Sequence, residues 1–547
     1  MKQSSVREKE SFINNNFDYD VVIIGAGISG LYQLYKLRQL GLRVCVFEAG
    51  DGIGGTWHWN RYPGARFDSE SYSYAYSFSQ ELLDEWNWSE HFASQPEILR
   101  YLEHVADKFN LLGNIHLASP VKAAKYNEHA RSWKVILDGG NSCTTRVLIT
   151  AVGILSQPTL PAIEGMDSFK GSAFHTSRWP KEQPELKGQN VAVIGTGASG
   201  VQVIQELAKD VGHLTVFQRR PNWCAPLRNG KIDSDEMQDI KASYPAMFEQ
   251  CRTSQAGFTW TVDPRGTFEV TPEERNTFWE KLYASKGMAI WQGNFKDILV
   301  DPEANLAISE FIEAKIRARI HNPVTADMLI PKDHGFGTRR VPLETHYYEV
   351  YNQSNVDLIN IVENPIIRIT ENGILTSNQE FTFDTIVYAT GFDALGGSFD
   401  KIAIEGTNGS LLKDKWDAQM ETYLALQVFG YPNMLMINGP QGLGGNHPVN
   451  IQYTVEWITD LVEHMTEQGL TRAEATPEGI EAWNRHVNDK SSGSLMNGVD
   501  SWMTGVNKNV EGKGVRILGA RYGGSVESYR GLCDGVSSNG YKAMNLS

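Results

Sequence analysis

The stretch Tyr19-Asp20-Val21-Val22-Ile23-Ile24-Gly25-Ala26-Gly27-Ile28-Ser29-Gly30 decides the fold. Its apolar run reads as a strand, its three glycines as a tight turn, and Leu31, Leu34 and Leu37 as one face of a helix. Gly25 lets the turn close, Gly27 lets the backbone approach a pyrophosphate, and Gly30 lets helix and strand pack. A phosphate is left on the helix N-terminus. The next strand, Arg43 to Glu48, ends in a carboxylate suited to accept hydrogen bonds from a ribose. A glycine turn of this kind often joins a strand to a helix without a ligand, but here it recurs. Gly195-Thr196-Gly197-Ala198-Ser199-Gly200 follows the strand Val191-Ala192-Val193-Ile194 and precedes another helix, so two dinucleotides are expected.

The second unit differs from the first in its chemistry. Its strand from Leu214 ends in Arg219 and Arg220 where the first unit has Glu48. A carboxylate there would repel a 2′-phosphate, whereas guanidinium groups pair with it, so the second site should prefer NADPH to NADH.

With 547 residues, 41% hydrophobic and 21% charged, the chain is long enough for two or three domains of ordinary globular composition. A formal net charge of -15 disfavours a nucleic-acid surface. Five scattered cysteines, Cys45, Cys143, Cys224, Cys251 and Cys533, suggest neither a metal site nor a disulfide framework. The N-terminus lacks the apolar core of a signal peptide, and no apolar run is long enough to span a bilayer. The expected setting is the cytoplasm.

Residues 1 to 18 read as a polar arm. Gly52 to Asp68, rich in glycine, aromatics and charge, reads as a loop over a ligand. Ser94 should start a helix with Ile98, Leu99, Leu102 and Val105 on one face. From Ala124 to Thr150 a small antiparallel insertion and a return strand are expected, and Ser156 to Pro161 marks a connection between domains. Helical signals dominate from Pro226 to Pro331, including Ile308, Ile312, Ile316 and Ile320 on one stripe after Asp301-Pro302. Strand patterns return at Val356 to Ile361 and Thr385 to Gly391. A closing helix carries Val455, Ile458, Leu461, Val462 and Met465 and stops near Gly469. The fold expected is α/β: two Rossmann-like dinucleotide-binding domains, for FAD and NADP, with an inserted helical subdomain. The boundaries are residues 1–155 with 391–547, residues 156–225 with 332–390, and the insertion 226–331.

Two dinucleotides in one chain most simply mean FAD and a nicotinamide exchanging hydride. A flavin disulfide reductase would need a Cys-x-x-Cys pair, which is absent. By residue chemistry alone His175 and Trp179, four apart, read as buried linker residues. The run FKGSAFHTSRWP from Phe169 to Pro180, however, resembles the fingerprint of the Baeyer–Villiger monooxygenases in Phe169, Gly171, His175, Trp179 and Pro180. The resemblance extends from Tyr19 to the C-terminal region and is closest to the phenylacetone and cyclohexanone type.

That resemblance implies an enzyme that uses FAD, NADPH and dioxygen, through a peroxyflavin, to turn ketones into esters or lactones, with no metal. It also implies residue roles. Gly54-Gly55-Thr56-Trp57 matches a flavin-covering loop, and Tyr62 to Asp68 a segment whose aspartate lies near the flavin. Tyr74 and Val121 fall where the family contacts FAD, and Arg66 and Arg339 where it contacts NADP. Arg340 matches an active-site arginine held by Asp68, and Trp502 a late mobile loop that meets the nicotinamide cofactor. The fingerprint segment is thought to couple domain movement to cofactor handling, so His175 is functional without an acid–base role. The loop Gln441 to Pro448 is shorter and richer in glycine than in the phenylacetone enzymes, and Ile154 stands where they have glutamine, so the ketone is left open. A monomer is expected, a homo-oligomer remaining open. Two other readings stand beside this one: an N- or S-oxygenating flavin monooxygenase, and a flavin redox sensor that binds NADPH without turnover.

Overall fold

The computed structural model describes residues 17–547, so nearly all of the expected N-terminal arm lies outside the described residues. Two sheets organise the chain. The first has eight strands, running across the sheet as Ala403–Glu405, Val121–Asn127, Ser132–Leu137, Ser142–Thr150, Tyr19–Ile24, Val44–Phe47 and Ile115–His116, with Met434–Met436 also paired to Ser142–Thr150. Its centre is parallel, because Tyr19–Ile24 lies between Val44–Phe47 and Ser142–Thr150. The expected antiparallel insertion is the meander from Val121 to Thr150, whose last strand returns beside the first. The second sheet is wholly parallel, in the order Val356–Asn360, His213–Gln218, Asn190–Ile194, Thr385–Tyr388 and Ser172–His175.

The same turn geometry recurs in both sheets. Gly25 and Gly195 have φ of 107° and 109°, and a Cβ on either would meet the carbonyl oxygen of the residue after a neighbouring strand, Ala151 or Ala389, at 2.5 Å. That oxygen and the positive φ both demand glycine. A Cβ on Gly30 would fall on the Gly25 carbonyl, and one on Gly200 on that of Gly195, so the helices Ile28–Gln39 and Ala198–Leu207 sit hard against their strands. Leu31, Leu34 and Leu37 are fully buried, each contributing roughly 2 kcal/mol to that packing.

The two connections between sheets run side by side. Thr159 N–H donates to the Gly391 carbonyl at 3.0 Å and Asp393 N–H to that of Gln157 at 2.8 Å. After Gly391 the chain returns to the first sheet through Ala403–Glu405 and Met434–Met436.

Several details differ from expectation. Gly52 to Asp68 is not all loop, since Thr56–Trp59 forms one helical turn. Ile320 is buried but lies beyond the helix Pro302–Arg317, which carries the rest of its stripe. The helix His447–Glu467 stops before Gly469, at φ 66°, yet it does not end the fold: Pro477–Ser491 and Val526–Ser538 follow and pack on the same core. Residues 226–331 have no core of their own. Tyr244 and Phe248 of the helix Ser234–Thr253 join the core of the first sheet, while Trp279, Ile308, Ile312 and Ile316 join that of the second. Among the described residues no helix is long and apolar enough to cross a membrane.

Candidate functional site

Both glycine turns offer an anion site built from backbone. The helices after them have Gly27 and Gly197 as N-caps with no side-chain cap, so their first N–H groups point outward unsatisfied, with the positive end of the helix dipole behind them. A Cβ on Gly197 would meet nothing within 4 Å, leaving the cradle open, whereas Gly27 lies against Gly55 of the covering loop. Glu48, buried at the end of its strand, accepts from Ala26 N–H and Gly50 N–H, each at 2.7 Å, which fixes its carboxylate beside the first turn. Ser119 N–H reaches the Glu48 carbonyl at 2.8 Å, bringing the start of Val121–Asn127 to the same place. These donor sets fit dinucleotides.

An aromatic wall stands beside the first turn. Trp57 Nε1 donates to Tyr74 Oη at 3.1 Å, and the Tyr74 ring stacks on Phe67 with centroids 4.4 Å apart. Burial pushes the Tyr74 hydroxyl up to about 12, so it stays a neutral hydrogen-bonding group. Next to this wall, Arg340 Nη2 donates to Asp68 Oδ1 at 2.6 Å across 272 residues of chain. Asp68 is buried, and its Oδ2 has no partner among the described residues, leaving a polar atom ready for a further donor. Arg66 lies between the covering loop and the second nucleotide helix. Its guanidinium is taken up by Glu90 at 3.1 Å and the Phe92 carbonyl, and only its backbone carbonyl meets the second nucleotide helix, through Gln202 Nε2 at 3.0 Å.

Beyond the second turn lies a cationic cluster. Arg220 and Arg339 share Asp333, at 3.3 and 3.6 Å, whereas Arg219 is exposed and has no carboxylate partner among the described residues. Thr196 Oγ1 ties the Arg220 carbonyl to the glycine turn at 3.0 Å, and Asn222 Nδ2 holds the Arg340 carbonyl at 3.0 Å. One loop therefore links the cluster to the Asp68–Arg340 pair. Asp333 was not legible in advance, because a single aspartate outside any periodic pattern carries no local signal.

The fingerprint lies beside the connections between the two sheets. Phe169 packs on the second core, and Gly171 is required because a Cβ would fall on the Asp384 carbonyl. His175 ends the edge strand Ser172–His175, with its Nδ1 accepting from Ser177 N–H at 3.1 Å and its ring edge-on to Phe392. Trp179, 1% exposed, and Pro180 carry the segment to the covering loop, where Arg61 Nε reaches the Trp179 carbonyl at 3.1 Å and Arg178 lies 4.3 Å from the Trp59 ring. Burial first, then the Arg178 charge, pushes the His175 imidazole down to about 4 from its ordinary 6.5. The folded state thus binds fewer protons than the unfolded one, and stability present above pH 6.5 is lost as pH falls toward 4. For a chain of this length the His175 share is about 3 °C in melting temperature, and His175→Asn should remove it when calorimetric scans at pH 7 and pH 4 are compared.

The late loop packs on the same connection. Asn507 Nδ2 reaches the Phe392 carbonyl at 2.8 Å, and Lys513 pairs with Asp393 at 2.8 Å and Asp400 at 3.0 Å. Trp502 opens a short turn, Trp502–Thr504, packed on Leu395 and Ala520, and Arg521 lies 5.8 Å from its ring. Sequence reasoning missed Arg521. Burial, then the nearby Arg340 charge, pushes Arg521 down to about 10, and burial with the same two arginines pushes His447 down to about 4, so at neutral pH Arg521 is charged and His447 is not.

Comparison with known proteins agrees with this geometry. A family model described as pyridine nucleotide-disulphide oxidoreductase matches residues 22–255. The 2-oxo-Δ3-4,5,5-trimethylcyclopentenylacetyl-CoA monooxygenase of Pseudomonas putida is 41% identical over 96% of this chain and 98% of its own length. The acetone monooxygenase (methyl acetate-forming) of Gordonia sp. (strain TY-5) is 39% identical over 96% and 99%. The solved structure of OTEMO in complex with FAD and NADP superimposes with a TM-score of 0.93 at 40% identity, covering 97% of this chain and all of that one.

Proposed function

The chain belongs to the Baeyer–Villiger monooxygenases, and from that membership we propose that it binds FAD at the first glycine turn and NADPH at the second and oxygenates ketones. Ketone, dioxygen, NADPH and a proton yield an ester or lactone, NADP⁺ and water, one oxygen atom entering between the carbonyl carbon and a neighbouring carbon. Bound FAD supplies hydride acceptance and dioxygen activation. The observation that carries the reading is the Asp68–Arg340 pair, which stands beside the aromatic wall and on the loop that reaches the second nucleotide cluster.

Each group then has a task. Arg340, permanently charged, steadies negative charge developing on oxygen during insertion, and Asp68 fixes its orientation and offsets the cost of burying it. Gly25, Gly27, Gly30 and Glu48, with Gly55, Thr56, Trp57, Tyr74 and Val121, hold the flavin nucleotide. Gly195, Thr196, Gly197, Ser199 and Gly200, with Arg219, Arg220 and Arg339, hold NADPH. Arg66 is assigned to the NADPH side as well, and its carbonyl already accepts from Gln202 of the second nucleotide helix. The domain division 1–155 with 391–547, 156–225 with 332–390, and 226–331 goes with this reading, supported by the return of residues 403–405 and 434–436 to the first sheet.

The N- or S-oxygenating reading is not favoured, since a fixed cation suits attack on a carbonyl rather than delivery of an electrophilic oxygen. A ketone and thioether panel analysed by product mass tests both. Ester from the ketone is expected, and oxidised heteroatom product alone would overturn the proposal. Ketone-stimulated steady consumption of NADPH excludes the non-catalytic sensor.

Trp502 is proposed to close over the nicotinamide cofactor, supported by the packing of its loop on the connection between the sheets. Its contact with Arg521 is of a kind worth about 1 kcal/mol, so Trp502→Ala should lower the yield of ester per NADPH about fivefold while more hydrogen peroxide escapes. FAD content should stay normal. Unchanged coupling would remove Trp502 from this role.

A further inference from the structure

The site holds two guanidinium groups, of which only one is neutralised. Arg340 has Asp68, Arg319 pairs with Glu344 and Glu349, and Arg220 and Arg339 share Asp333. The Arg521 guanidinium meets no carboxylate and no hydrogen-bond acceptor among the described residues, only the face of Trp502. Its backbone is nonetheless fixed. Ala520 accepts from Gln441 N–H at 3.0 Å, Tyr522 N–H donates to the Gly442 carbonyl at 3.0 Å, and Ser491 Oγ donates to the Arg521 carbonyl at 3.2 Å. The glycine-rich loop is shaped to the side chain as well, because a Cβ on Gly444 would fall on Arg521 Nη2. His447, at the start of the helix His447–Glu467, adds a buried Nδ1 without a partner.

A partly buried guanidinium without an anion is costly, and here the loop, the backbone pairing and a missing side chain all hold it in place. We propose that Arg521 anchors a carboxylate carried by the ketone substrate, so that the preferred substrates are keto acids. This rests on the ketone-oxygenating reading and narrows its substrate class. The charge count agrees: Arg340, with Asp68, faces the reacting carbonyl, while Arg521 waits for the far end of the same molecule. A phosphate of the dinucleotide is already served by Arg219, Arg220, Arg339 and the two helix N-termini. The planar fork of Arg521 suits bidentate pairing with a carboxylate, and the neutral His447 can add a hydrogen bond.

The test compares 4-oxopentanoate, 5-oxohexanoate and 6-oxoheptanoate with their uncharged methyl esters, using the FAD-loaded enzyme. The readouts are kcat/KM and, separately, equilibrium binding to the oxidised enzyme with NADP⁺ present. The wild type should favour at least one acid over its ester by about tenfold or more, and Arg521→Gln should erase that preference while Arg521→Lys keeps part of it. Gly444→Ala, which displaces the guanidinium and leaves the charge count unchanged, should follow Arg521→Gln. Acid and ester falling alike in Arg521→Gln, an ester preference in the wild type for all three pairs, or an equal rise in the KM for NADPH would each overturn the proposal. Arg521-dependent binding of a keto acid without ester formation would support the anchor and count against oxygenation.

Discussion

Replacing Arg219 by alanine is expected to raise the KM for NADPH about ten- to a hundredfold while hardly changing that for NADH, the span of one charge-assisted phosphate contact worth roughly 1.5–3 kcal/mol. The strand His213–Gln218 delivers this residue to the position that Glu48 occupies in the first unit, and on the proposed reading the guanidinium takes a phosphate there where the carboxylate takes a ribose hydroxyl. Of the three arginines at this end of the sheet, Arg219 alone shares no carboxylate among the described residues. Arg220→Ala should therefore cost less, because Asp333 already offsets part of its charge. Steady-state kinetics with both coenzymes decide the matter. Equal losses with NADPH and NADH would show that Arg219 does not read the 2′-phosphate.

What could be read in advance was what is written locally. The two glycine turns are visible because strand, turn and helix follow one another without a gap, and the structure repeats their geometry down to the carbonyls of Ala151 and Ala389. Asp68 and Arg340 came from motif resemblance, and their pairing across 272 residues is something no periodicity could supply. Residues 226–331 read as a helical subdomain because their stripes are regular. A stripe does not say what it faces, and here the first helix serves one core and the later ones another. Thr56–Trp59 is too short for a periodic signal, and the helices after Gly469 were hidden behind a convincing stop. Arg521 and Asp333 are single charges in irregular segments. Their meaning lies in which other charges they meet, and that is set only by tertiary packing.

Arg340→Ala is expected to separate the two halves of the reaction. Hydride transfer from NADPH needs the two nucleotides side by side, a task the proposed binding mode gives to the glycine turns and the arginine cluster and not to Arg340, so the variant should still bleach FAD in the absence of oxygen. Ketone oxygenation should fall at least a hundredfold, since a preorganised cation aimed at developing negative charge in a water-poor site is worth about 3 kcal/mol or more. The loss has a second source: with Arg340 gone, Asp68 is left buried with neither carboxylate oxygen partnered, where before only Oδ2 was open. Arg521 cannot take over, because its guanidinium is seated against Gly444 and Trp502 and not against Asp68. Lysine at position 340 should restore little, as a point charge on a flexible stem lacks the fork that can hold Asp68 and a reacting oxygen together. Asp68→Asn separates orientation from charge: it keeps the cation but loosens its aim, and should reduce oxygenation less than Arg340→Ala. Stopped-flow in two stages, reduction without oxygen and then reaction with oxygen and ketone, reads both steps. Wild-type ester yield from Arg340→Ala would reduce the pair to a structural clasp between the loop at Asp68 and the segment at Arg340.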